Sequence, residues 1–73
     1  MTFREIRLRA IQAENDYYHA ARTGAEPTEV LRLWRRKDYW AARLRFEWLR
    51  IELGDRYNFW HELHVWQRER RAA

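Results

Sequence analysis

Between Pro27 and Gly54 nothing interrupts a helix, yet the apolar residues of that stretch fall on two sides of it. On a helical wheel Val30, Leu33, Trp34, Trp40, Ala41, Leu44, Trp48 and Ile51 form one stripe. Leu31, Tyr39, Ala42, Phe46, Leu49 and Leu53 form a second. Asp38 and Arg45 separate the stripes on the narrow side, and Lys37 sits inside the first. Glu29, Arg32, Arg36, Arg43, Glu47 and Arg50 fill the wide side. A helix with two apolar stripes needs two neighbours. At roughly 40 Å it also outruns the helix before it, so its ends require a third helix or another chain.

The flanking segments supply those neighbours. Gly24 and Gly54 are the only glycines and Pro27 the only proline, the residues that stop and start helices. They divide the chain into helices at about 2–22, 27–53 and 55–71. Thr2 with Glu5 three residues on forms a capping box, with Met1 and Ile6 as the staple around it. Phe3, Ile6, Ala10, Ala13, Tyr17 and Ala21 make a single apolar stripe, opposite Arg4, Gln12, Asn15, Asp16 and His19. In the third segment Asp55 is the expected N-cap, and Phe59, Trp60, Leu63 and Trp66 the stripe, ahead of a frayed basic tail, RERRAA.

Such a chain is one small domain, 1–73, of the all-α class. The expected architecture is an antiparallel hairpin of helices one and two plus a third, C-terminal helix, completed as a bundle by homodimerisation. Size forces the partner: a chain this short hides only about 60% of its unfolded surface, and small domains usually add disulfides, a metal or a second subunit. There is no cysteine. Five tryptophans are also hard to enclose in one 73-residue monomer. No uncharged run exceeds five residues, so no membrane span is expected and a cytoplasmic protein is.

Enzymatic chemistry has little material. Serine and cysteine are absent, and the three threonines, Thr2, Thr23 and Thr28, fall near helix ends where capping is their ordinary use. Two isolated glycines build no phosphate-cradling loop. No catalytic residue, cofactor or metal is therefore assigned. His61 and His64, spaced i, i+3, and Asp16 with His19 are too few ligands for a zinc site, and Glu62 points to another side of its helix.

What remains is binding. The expected function is that of a small non-enzymatic regulator or adaptor, bacterial or phage in style, that presents an aromatic and arginine-rich helical surface to another protein. Its expected protein-binding residues are Trp60, Trp66, Phe59 and Leu63, because the third helix has the least certain partner within the chain. Trp34, Trp40, Trp48, Leu44 and Phe46 are assigned to the core or the dimer interface. The alternative is a non-specific nucleic-acid-binding or ribonucleoprotein accessory protein using Arg32, Arg36, Arg43, Arg50, Arg68, Arg70 and Arg71. Net charge is +4, but acidic residues are spread through every segment, and the tryptophans of the second helix lie out of phase with its arginines.

Overall fold

The computed structural model describes residues 1–72 and is all-α. Helix α1 is Phe3–Thr23, α2 is Pro27–Leu53 and α3 is Phe59–Ala72, with one 3-10 turn at Gly54–Arg56 between the last two. No strand occurs among the described residues. The tail expected to fray is helical through Ala72, and its last residue, Ala73, lies outside the described residues.

Each helix end has a local cause. Thr2 Oγ1 accepts from the Glu5 N–H at 3.2 Å and its hydroxyl donates back to Glu5 Oε1, so the glutamate closes the box on the hydroxyl. Gly24, at φ 72°, ends α1 in the left-handed region that costs other residues a Cβ clash. The Ala25 N–H then reaches the Ala20 carbonyl at 3.1 Å. Pro27 opens α2, where its missing N–H costs nothing.

The third helix starts later than the expected Asp55. Gly54, at φ 54°, breaks α2, Asp55 is spent in the 3-10 turn and Tyr57 is extended. Asn58 then caps α3, its Oδ1 accepting the His61 N–H at 3.2 Å.

Helices α1 and α2 form an antiparallel hairpin. Arg9 lies over Trp40, Asp16 faces Arg36 at 3.7 Å, and Lys37 lies over Tyr17, so contacts descend α2 as they climb α1. Ile6, Ala13 and Ala20, spaced by seven residues, are the buried seam of α1 and meet the first stripe of α2, where Leu33 is buried. Alanine at two of these positions lets the backbones approach closely.

Helix α3 returns along the other side of α2. The Phe46 ring meets Phe59 at 5.6 Å and Trp66 at 5.9 Å, edge to face. On the narrow side between the stripes, Arg45 pairs with Glu69 and Asp38 with Arg70. Each stripe of α2 thus has its own neighbour. Yet α3 is half the length of α2 and buries no residue, and Leu31 and Tyr39 on that side of α2 stay exposed.

The result is a slab measuring 45 × 29 × 13 Å. Its radius of gyration is 14.2 Å, where a compact chain of this length has about 11 Å. Its accessible surface is 5946 Å², against about 4,900 Å² for a folded monomer of this mass. Three helices side by side leave α2 open above and below, and the four buried residues all lie in the α1–α2 seam.

Candidate protein-interaction surface

The slab has two unlike faces. The first carries a groove of about 520 Å³ between Phe3 and Arg7 of α1 and Ala41, Leu44, Arg45 and Trp48 of α2. It runs on past Ala41 and Leu44 into a second hollow lined by Ala10, Ile11, Glu14 and Lys37. Trp34, Ala41 and Trp48 recur every seven residues, so all three project to this side of α2. Trp34 is 39% exposed and Trp48 50%, and neither belongs to the chain's own core. Ile11 and Tyr18 are exposed beside them. Lys37 lies inside the apolar stripe because its ammonium finds ring faces, Tyr17 at 5.7 Å and Tyr18 at 6.0 Å.

The opposite face is charged, and most of its guanidinium groups have partners within the chain. Arg32 donates to Glu29 from Nε at 2.9 Å and from Nη2 at 2.5 Å. Arg50 grips Glu47 in the same bidentate way one turn back. These hydrogen bonds, with the attached charge, hold both carboxyls below the ordinary glutamate range and push both guanidinium groups up. Arg36 faces Asp16 across the hairpin, and Arg43 lies over Trp40 at 5.7 Å. Trp40 is half-buried, sandwiched between Arg43 and Arg9. The four arginines on the wide side of α2 therefore each have a partner within the chain.

Helix α3 separates its aromatics. Trp66 is half-buried between Phe46 and the Arg70 guanidinium, 4.7 Å above its ring. Leu63 is half-buried as well, and Phe59 touches Phe46 yet stays exposed. Trp60 stands one residue off this line and is 71% exposed, the most open of the large apolar side chains. The four residues do not act as one stripe: Trp66 lies against Phe46 of α2, Leu63 is half-buried and Trp60 turns to solvent. Of the tail arginines, Arg70 pairs with Asp38, while Arg68 and Arg71 are exposed.

Several partnerships had only a weak signal in the sequence. Arg9 over Trp40, and Glu69 as the partner of Arg45, depend on which residues of different helices come level, which spacing alone does not state. His61 and His64 are exposed, and no group of three or more His, Cys, Asp or Glu that could hold a metal occurs among the described residues. No helix there is long and apolar enough to cross a membrane. No protein-family model, curated protein or solved structure matches this chain.

Proposed function

We propose that this chain is a small non-enzymatic protein-binding module, a cytoplasmic regulator or adaptor that works as a homodimer. The observation that carries the reading is the excess of open surface: about 1,000 Å² more than a monomer of this mass exposes, with Trp34, Tyr39, Trp48, Phe59 and Trp60 among the exposed side chains. Exposed tryptophan in a soluble chain costs solubility unless another surface covers it, and Trp with Arg is the composition of binding hot spots. Trp60 and Phe59 on α3, with Tyr39 on α2, are the residues we assign to a protein partner. The pairing of Arg32, Arg36 and Arg50 with carboxylates favours this reading over a phosphate track, since a guanidinium already held by a carboxylate gains less from a phosphate.

Photo-crosslinking in living cells tests it. A benzophenone amino acid in place of Trp60 should give a discrete protein adduct that survives nuclease treatment, whereas the same group in place of Gln12, on the far side of α1, should not. No adduct at position 60, or one that nuclease destroys, would overturn the reading.

A further inference from the structure

The grooved face has a property beyond being apolar: its residues are arranged as a palindrome. Ala10 and Ala41 lie at its middle and both line the second hollow. On α2, Trp34 and Trp48 stand seven residues to either side of Ala41. On α1, Arg7 stands three residues before Ala10 and Glu14 four after, one cationic and one anionic, and both line the groove. Further out, Phe3 and Tyr17 stand seven residues to either side of Ala10. A two-fold axis brings a surface against itself, so its two halves must be complementary to each other. A rotation in the plane of the slab, about an axis crossing the helices at Ala10 and Ala41, satisfies this. It sets Trp34 against the partner's Trp48, Arg7 against the partner's Glu14, and Phe3 against the partner's Tyr17, with small residues at the centre where the backbones come closest.

We propose that this groove is the seat of a second copy of the chain, docked antiparallel about that axis. Two observations argue for a copy rather than an unrelated protein. The first is self-complementarity in the order of aromatic, small and charged residues along the face. The second is area: the whole-chain surplus of about 1,000 Å² is large enough to include the roughly 800 Å² each partner buries in a standard interface. The rotation also brings Lys37 near the partner's Arg45. Arg45 is already paired with Glu69, so Lys37 meets a neutralised guanidinium there rather than a free one. The proposal rests on the reading of the chain as a protein-binding module and identifies what occupies one of its faces.

The test is charge reversal in the full chain, read by light scattering and sedimentation, with helicity checked by circular dichroism. The wild-type chain should be a dimer. Arg7→Glu and Glu14→Arg should each weaken it by about tenfold or more, because each places two like-charged pairs across the axis. The Arg7→Glu/Glu14→Arg double variant, and a mixture of the two single variants, should recover the dimer. A wild-type chain that stays monomeric at high micromolar concentration overturns the dimer altogether. A dimer indifferent to both reversals, or not restored by the double variant, overturns this face while leaving the Trp60 crosslink standing. Loss of that crosslink with the reversals behaving as stated would sink the partner reading and keep this interface.

Discussion

Arg45 holds Glu69 with two hydrogen bonds, Nη1 to Oε2 at 2.5 Å and Nη2 to Oε1 at 3.1 Å, across 24 residues of sequence. Together with Asp38 and Arg70 it ties α3 to α2 along the polar strip between the two apolar stripes. A residue pair that reads as an interruption of the hydrophobic pattern is thus the fastening of the third helix.

That fastening responds to acid. The hydrogen bond from Arg45, and then its charge, hold the Glu69 carboxyl below the ordinary glutamate range. A carboxylate depressed in the folded state stabilises fully above its unfolded pKa and loses that contribution as pH falls through the folded one. The matching rise at Arg45 acts only at extreme alkalinity. Protection factors along α3, taken against the intrinsic exchange rate at each pH, should therefore fall below about pH 4, ahead of those in the α1–α2 seam. Glu69→Gln should remove this step and leave α3 faster-exchanging at neutral pH. An α3 that exchanges at the same rate as α1 throughout would refute it.

Phe46 is the one ring that touches both Phe59 and Trp66. Phe46→Ala should weaken the docking of α3 by about 2 kcal/mol, less than a fully buried phenylalanine because this ring is only half-buried. The signature is selective: α3 amides lose protection while Ile6, Ala13 and Ala20 keep theirs. Uniform loss would show the three helices to be one cooperative unit.

Gly24 isolates a backbone effect. A Cβ there meets nothing within 4 Å, so Gly24→Ala should cost only the left-handed conformation, about 1 kcal/mol. In a domain of this size that lowers the melting temperature by about 4–8 °C. Asparagine, which tolerates this conformation, should cost less than alanine. Thr2→Ala at the other end of α1 should match the alanine loss by removing the N-cap bond.

The paired arginines bear on nucleic acid. Arg36→Glu with Arg43→Glu should leave retention on a mixed DNA and RNA column unchanged. The salt dependence of any residual wild-type binding should correspond to no more than about two phosphates. Abolished retention would return the α2 arginines to the role of phosphate contacts.

The stripes of α2 and their count of neighbours were legible because helical phase turns residue order directly into direction. The ends of α1 and α2 were legible for a related reason: Thr2, Gly24, Pro27 and Gly54 act through their own backbone or that of the next turn. The start of α3 was not, since Asp55 and Asn58 are both good caps. The choice between them depends on how the backbone leaves Gly54. Trp60 and Trp66 were likewise inseparable by composition.

By itself, then, the sequence determined three helices, two stripes on the middle one and too much aromatic surface for a lone 73-residue core. Those follow from local sterics, helical period and the small volume of a short chain. Only the tertiary structure decided that α3 lies on the far side of α2 from α1, making a slab. It also decided that Trp34 and Trp48 stand exposed on one face of α2, and that Arg32, Arg36, Arg43 and Arg50 find partners within the chain. These are choices about which helix stands level with which, and long side chains such as Arg45 with Glu69 and Phe46 with Trp66 settle them across distances that helical phase does not encode.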